Sequence, residues 1–228
     1  MRYARNVAAG CGLRWNCDEA PVEGFTGPLY LAALVSGQRL VPDLETLSQV
    51  LGALFLTGAL LGAALTALRR APGGAARGAC LALGAAFIMG ADHYILLNAV
   101  IGLETALACL VLALLAAAAL SERLTGLRCA VVLAILTRPE AALFALLLPL
   151  LPRARSLRYL APLCAALGAV ALARLLLFHD VLPNTYFAKS GGTYLHAVVG
   201  WRYLRGAVAS FPVILLEIGR ASCRERVS

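Results

Sequence analysis

Long apolar segments separated by short polar loops dominate this chain. Five segments reach or approach the roughly 20 apolar residues that cross the hydrocarbon core of a bilayer as a helix. They contain Leu, Ala and Gly without the alternation typical of β-barrel strands, so we predict helices. The segments are Leu47–Leu68, Gly78–Leu97, Leu103–Leu120, Cys129–Leu151 and Leu157–Phe178. With shorter segments at Pro28–Val41 and Tyr203–Leu216, the pattern predicts an all-α polytopic transmembrane helix bundle with about five to six membrane segments.

Composition excludes an ordinary soluble domain. Hydrophobic residues make up 61% of the chain and charged residues 14%, against about 45–50% and about 25% in soluble domains. The predicted organisation places an extracytoplasmic loop with a short interfacial helix before the bundle, and a second such loop after it. The boundaries are 1–46 for the first loop, 47–178 for the bundle, 179–202 for the second loop, 203–216 for the start of a further span, and 217–228 for a separate tail.

The net charge of +8 is explained by membrane topology rather than by nucleic acid. Lys and Arg accumulate in the cytoplasmic loops of membrane proteins. Basic residues here cluster in three short loops, and no basic run with interleaved aromatic residues remains for a nucleic-acid surface. These loops contain Arg69, Arg70 and Arg77, then Arg123 and Arg128, then Arg153, Arg155 and Arg158.

Arg138-Pro139-Glu140 interrupts one of the apolar segments near its middle. Proline removes a backbone donor and disfavours helix at the residue before it, so the segment is predicted to form two half-helices. A hairpin that turns at this corner keeps the flanking basic loops on the cytoplasmic side, and residues 1–27, 92–104 and 179 onward then lie outside. The alternative is a self-contained ion pair between Arg138 and Glu140 at a helix kink.

Two carboxylates flank a short connection between predicted helices. Asp92 and His93 precede it, and Glu104 follows it. Acidic groups at an outer helix end can bind a metal ion or a sugar hydroxyl, or act as a base. Equally, they can be solvated groups at helix ends, where Glu104 complements the helix dipole.

The stretch from His179 to Gly192 holds Lys189, which is the single lysine of the chain. Asn184 and Tyr186 lie close to it in sequence. An ammonium group in such surroundings suits a phosphate group, whereas the alternative is an interfacial lysine with an aromatic anchor. In the polar start of the chain, Cys11 and Cys17 can pair if that segment is extracytoplasmic.

An ordered set of short motifs resembles a family of membrane glycosyltransferases. The family is that of the GT-C enzymes related to the terminal β-(1→2) arabinofuranosyltransferases of actinobacterial envelopes. Each motif alone is weak, and the set covers the chain from Arg2 to about Leu204. The matching residues are Arg2–Asn6, Gly10–Leu13 with Trp15-Asn16, Val22–Thr26, Gly102–Thr105, Leu136–Glu140 and Leu182–Lys189.

This resemblance implies transfer of a sugar from a polyprenyl-phosphate donor to a cell-envelope glycan or lipid acceptor on the outer face of a bacterial inner membrane. The resemblance leaves open whether the reaction needs a divalent metal ion. Lys189 and Asn184 would contact the donor phosphate, and Arg138 with Glu140 would form a structural or donor-positioning pair. The full implied set of substrate-binding residues is Asn6, Glu23, Thr26, His93, Glu104, Arg138, Glu140, Asn184, Tyr186 and Lys189.

The catalytic base of the family is an acidic pair that directly precedes the motif matched by Arg2–Asn6, which places it before Met1. Asp92 is a weak substitute. Residues Ile218–Val227 resemble the read-through translation of a sequencing adapter. The expectation is therefore a piece of the enzyme that is inactive alone. A membrane transporter or lipid flippase, and a non-catalytic membrane subunit, are the alternatives.

Overall fold

The computed structural model describes residues 1–25, 27–70, 74–121, 124–141, 143, 158, 160–180, 198–202 and 204–206. Within these residues the chain is helical and has no strand, as the sequence predicts. Clustering of contacts divides the chain into two units, Met1–Asn184 and Thr185–Ser228. The first unit contains α1 (Arg2–Ala8), α2 (Pro28–Gly37), α3 (Leu44–Arg70), α4 (Ala75–Ala91), α5 (His93–Val100), α6 (Thr105–Ala119), α7 (Leu124–Thr137), a 3₁₀ turn (Pro139–Ala141) and α8 (Leu160–Phe178).

Two helices of the described part of the chain are long and apolar enough to cross a membrane. They are Leu44–Arg69 within α3 and Leu160–Phe178, which is α8. The described residues hold a third candidate only if α4 and α5 count as one span bent by 64°. Large apolar side chains on α3, α4 and α8 are exposed, for example Leu54, Phe87 and Leu176, as expected where lipid covers a helix. The predictions at Leu47–Leu68 and Leu157–Phe178 are thus confirmed.

The predicted break at Arg138-Pro139-Glu140 is also confirmed. Helix α7 ends at Thr137, and a 3₁₀ turn follows over Pro139–Ala141. Proline cannot donate the next helical hydrogen bond, and it disfavours the helical conformation at the preceding residue. The predicted second half-helix ends at Leu151, and most of it lies outside the described residues, so the hairpin stays a prediction.

The helices of the first unit pack mainly as neighbours in sequence. Helix α3 lies against α4 and α6, α6 against α7, and α7 against α8. One apolar core joins the last three helices through Leu115, Val131, Ile135 and Leu163. A second core, which includes Leu34 and Leu107, joins α2 and α3 to α6 and α7. The start of α6 and the end of α7 are therefore held beside α2.

The turn between α5 and α6 requires glycine. Gly102 has a φ of 74°, and a Cβ at this position would lie 2.2 Å from the Ser48 hydroxyl oxygen on α3. Any other residue would meet both the steric cost of a positive φ and a direct clash. This close approach fixes where α6 begins, and so where Glu104 lies.

Candidate functional site

The connection between α1 and α2, residues 9–27, is a loop held by a disulfide and by side-chain hydrogen bonds. A disulfide joins Cys11 to Cys17. The Asn6 side-chain nitrogen donates to the carbonyl oxygens of Arg14 and Trp15, each at 2.9 Å. Asn6, predicted as a substrate-binding residue, therefore uses its amide to hold the loop against α1.

The last part of this connection is fastened to Tyr3 of α1. The Tyr3 hydroxyl donates to the Val22 carbonyl oxygen, and the Phe25 ring meets the Tyr3 ring edge-on with centroids 5.3 Å apart. Burial, with a smaller contribution from the negative charge of Glu23, raises the pKa of Tyr3, although a hydrogen bond at Gly24 acts in the opposite direction. These contacts direct the Glu23 side chain toward α8.

Glu23 forms a buried ion pair with Arg174 of α8. The Arg174 Nε donates to Glu23 Oε1 at 2.9 Å, and the two side chains are 10% and 5% exposed. Burial raises the pKa of Glu23 above its usual value, and the hydrogen bond and charge of Arg174 offset only part of that rise. The pair therefore fixes the α1–α2 connection to a helix 151 positions away in sequence.

A second ion pair joins the start of α6 to the end of α7. Arg138 Nη2 donates to Glu104 Oε1 at 2.9 Å, with side chains 43% and 23% exposed. The hypothesis of a self-contained Arg138–Glu140 pair is wrong, because Arg138 pairs with Glu104 and Glu140 is exposed on the 3₁₀ turn. Side chains two positions apart in a helical turn do not face each other, which explains the different partner.

Gly27, the residue before α2, lies against this second pair. A Cβ on Gly27 would be 2.6 Å from the Thr137 carbonyl oxygen and 3.4 Å from Glu104 Oε2. One turn later, the buried Tyr30 hydroxyl donates to the Gly102 carbonyl oxygen at 2.7 Å. Burial, followed by the charge of Glu104, raises the pKa of Tyr30 to about 12. Two of the motif segments, Gly102–Thr105 and Leu136–Glu140, thus meet beside Gly27, which directly follows the motif Val22–Thr26.

Two clefts flank these ion pairs. The smaller, of about 190 Å³, lies beside the second pair and includes Arg138 and Glu140 in its lining. The larger, of about 240 Å³, lies beside the first pair and includes Glu23 and Arg174. Apolar residues make up most of the remaining lining of both. The larger cleft thus contains both members of the first ion pair, whereas the smaller contains Arg138 of the second pair together with Glu140 and Thr137.

Asp92, the substitute base, acts as a helix cap. Its side chain accepts a hydrogen bond from the Ile95 backbone N–H at 2.9 Å at the start of α5. His93 follows as an exposed residue whose ring lies edge-on to Tyr94 with centroids 6.1 Å apart. Neither residue takes part in either ion pair. The cap fits the alternative interpretation of Asp92 as a helix-end carboxylate.

The remaining predicted residues lie outside the described part of the chain. They are Thr26, Asn184, Tyr186 and Lys189. The structure consequently brings together Glu104 and Arg138, with Glu23 on the same connection as Gly27, and gives no position for the predicted phosphate contacts.

Arg174 is the site residue that the sequence predictions omit. It is the single charged residue within Leu160–Phe178, and an ionisable residue inside a membrane segment is a functional hypothesis by default. That signal was available, because the arginine interrupts an otherwise apolar run. The partner of Arg174 could not be predicted, since nothing in the sequence relates position 174 to position 23.

Within the described ranges, no three His, Cys, Asp or Glu residues are grouped so that they could hold a metal ion. Comparison of the chain with protein-family models, with curated proteins and with solved structures finds no match.

Proposed function

We propose that this chain is part of a membrane glycosyltransferase that transfers a sugar from a polyprenyl-phosphate donor to a cell-envelope glycan or lipid acceptor on the outer face of a bacterial inner membrane. In this proposal the bundle has five to six membrane segments and resembles the GT-C enzymes. The resemblance suggests arabinofuranose as the sugar, and this suggestion rests on the motifs alone.

One observation carries the proposal. The motif segments Gly102–Thr105 and Leu136–Glu140 are separated in sequence, yet Glu104 pairs with Arg138. Gly27, which directly follows the motif Val22–Thr26, lies against Thr137 and Glu104. Arg138 of this charged pair borders an apolar cleft. A lipid-linked donor needs such a combination of apolar and cationic groups.

Arg138 has the chemistry for a donor phosphate. Its guanidinium carries five N–H donors, and the Glu104 carboxylate engages one Nη group. The side chain is 43% exposed and lines the smaller cleft. Guanidinium groups bind phosphate oxygens through charge-assisted hydrogen bonds, so Glu104 would orient Arg138 and Arg138 would hold the donor. Lys189 and Asn184 are proposed as further phosphate contacts.

Binding of a lipid-linked sugar tests this proposal directly. The purified chain in nanodiscs is expected to bind a polyprenyl-phosphate pentose more tightly than the polyprenol without phosphate, as measured by native mass spectrometry. Arg138→Ala is expected to lower the affinity by about tenfold or more, since it removes a charge-assisted contact. Arg77→Ala, an exposed arginine on α4, is the matched control. Equal binding of polyprenol and phosphosugar contradicts the proposal.

Transfer itself is tested in bacterial membranes that contain the protein. Lys189→Ala is expected to lower sugar transfer from a polyprenyl-phosphate donor because it removes the proposed phosphate contact. Wild-type turnover in this variant eliminates Lys189 from the donor site.

A lipid flippase or transporter is the second candidate, and one structural feature favours it. Transporters contain helices broken at membrane depth, and α4 and α5 meet at a bend of 64°. A flippase would move a fluorescent polyprenyl-phosphate lipid between the leaflets of vesicles without any acceptor sugar. The glycosyltransferase proposal expects no such movement above protein-free vesicles.

A further inference from the structure

The larger cleft runs along one face of α8. Ala169, Val170 and Ala173 line it together with Leu177 and Phe178, and this spacing repeats on successive helical turns of a single face. Two small alanines in this stripe leave the helix surface hollow there. The facing wall comes from the α1–α2 connection, α2 and α7, through Leu13, Glu23, Phe25, Pro28 and Leu136.

The polar groups of this cleft are Glu23 and Arg174. Arg174 is 8% exposed, and its Nε donates to Glu23. Its Nη2 nitrogen is also buried, and no described residue accepts a hydrogen bond from it. An N–H group of a guanidinium that is closed off from water and lacks an acceptor is unfavourable. An acceptor oxygen at this position would satisfy the group.

The size of the cleft limits what can enter. At about 240 Å³ it is smaller than typical small-molecule sites of about 300–1,000 Å³, so it accommodates one segment of a ligand. Helix α8 is apolar and long enough to cross a bilayer, which gives an alkyl chain access from the side. The occupant is an amphiphile with most of its length in the lipid.

The charges of Glu23 and Arg174 determine which ligand group can bind at Arg174 Nη2. The Glu23 carboxylate already balances the Arg174 guanidinium, so a phosphate at Nη2 would add a net negative charge to an apolar cavity beside an existing carboxylate. A neutral carbonyl oxygen satisfies the N–H group without that cost. Arg174 also lies four residues before the end of α8 at Phe178, which is about 6 Å along the axis. In a spanning helix this depth matches the ester groups of a glycerolipid, below the phosphate.

We propose that this cleft binds one acyl chain of an ester-linked glycerolipid, whose ester carbonyl oxygen accepts a hydrogen bond from Arg174 Nη2. The acyl chain lies along the hollow of Ala169 and Ala173, and its ester carbonyl reaches Arg174, which lines the same cleft. This lipid site is separate from the proposed donor site at Arg138 and does not depend on glycosyl transfer.

An ester-to-ether exchange in the lipid tests this proposal on the unaltered chain. The delipidated protein is titrated with dioleoylphosphatidylglycerol and with its dialkyl ether analogue, which has the same head group and chains but no ester carbonyl. Native mass spectrometry should show about tenfold tighter binding of the ester lipid, the effect of one hydrogen bond to a charged group. Equal affinities overturn the proposal.

Two variants and a competing lipid test whether the preference for the ester lipid arises at Arg174. Arg174→Met should bind both lipids equally and weakly, whereas Arg138→Met, outside this cleft, should keep the preference for the ester. An ester preference that persists in Arg174→Met overturns the assignment to this residue. Displacement of the ester lipid by equimolar undecaprenyl phosphate, but not by undecaprenol, shows that the cleft takes an isoprenoid phosphate, which also overturns it. Because the donor test depends on Arg138, either proposal can fail without the other.

Discussion

The two ion pairs differ in burial although their chemistry is the same. Arg174 and Glu23 have side chains 10% and 5% exposed, while Arg138 and Glu104 have 43% and 23%. A buried charge depends on its partner because water cannot replace it, whereas an exposed pair is worth little to stability. The comparison separates a buried pair, in which each charge depends on its partner, from a pair that solvent already reaches.

The largest expected effect comes from removing the buried acceptor. Glu23→Leu leaves the Arg174 guanidinium without its hydrogen-bond partner, so we expect the free energy of unfolding to fall by about 3–5 kcal/mol. Denaturant unfolding in detergent measures this loss. The double variant Glu23→Leu/Arg174→Leu, which buries no charge, should regain most of it. A single variant as stable as the wild type would show that the pair is not buried.

A substitution between the pairs should disturb the exposed pair through the backbone. Gly27→Ala places a methyl group 2.6 Å from the Thr137 carbonyl oxygen, so α2 and α7 must separate. We expect a loss of about 1–3 kcal/mol in the free energy of unfolding together with weaker binding of the lipid-linked sugar. Gly126→Ala on α7, where the added methyl meets nothing within 4 Å, is the control and should be neutral or slightly stabilising.

The exposed pair should matter less for stability than for binding. Arg138→Ala is expected to change the free energy of unfolding by less than about 1 kcal/mol, because solvent screens this pair. The same preparation should show the loss of phosphosugar affinity described above. A stability loss as large as that of Glu23→Leu would mean that both pairs are structural, and the contrast between them would disappear.

The smallest effect is a pH dependence of the buried pair. Because the folded-state pKa of Glu23 lies above 4.5, the usual value of a solvated glutamate, the folded chain binds this proton more tightly than the unfolded chain. Its contribution to stability is complete below pH 4.5 and is lost as the pH rises through the folded-state pKa. Glu23→Gln keeps an acceptor but does not titrate. The unfolding temperature of the wild type should therefore decline relative to Glu23→Gln between pH 4 and pH 7, and parallel curves would contradict the raised pKa.

Features that depend on local sequence were predictable, and features that depend on distant partners were not. The apolar runs at Leu47–Leu68 and Leu157–Phe178 predicted helices because length and hydropathy are properties of the segment itself. The break at Pro139 was equally local. The partner of Arg138 was wrongly assigned to Glu140, since proximity in sequence was the available guide. The true partner depends on how the turn at Gly102 brings α6 beside α7.

The buried ion pair of Arg174 could not be predicted from the sequence, for the same physical reason. A lone arginine in an apolar helix indicates that some partner exists, but the partner is set by the path of the α1–α2 connection. That path in turn depends on Tyr3, Phe25 and the disulfide, whose joint effect is tertiary. The sequence suggested Asp92 as a base as readily as a cap, and only the geometry of its hydrogen bond to the Ile95 N–H favours the cap.

The disulfide between Cys11 and Cys17 offers a way to measure the membrane orientation of the first loop. Such bridges form in a periplasm-like compartment and remain open thiols in a reducing cytosol. In the proposed topology, the fraction of newly made molecules whose thiols at these two positions resist alkylation therefore counts those whose first loop has reached the outer face. This alkylation measurement reports the orientation of the first loop without any added tag.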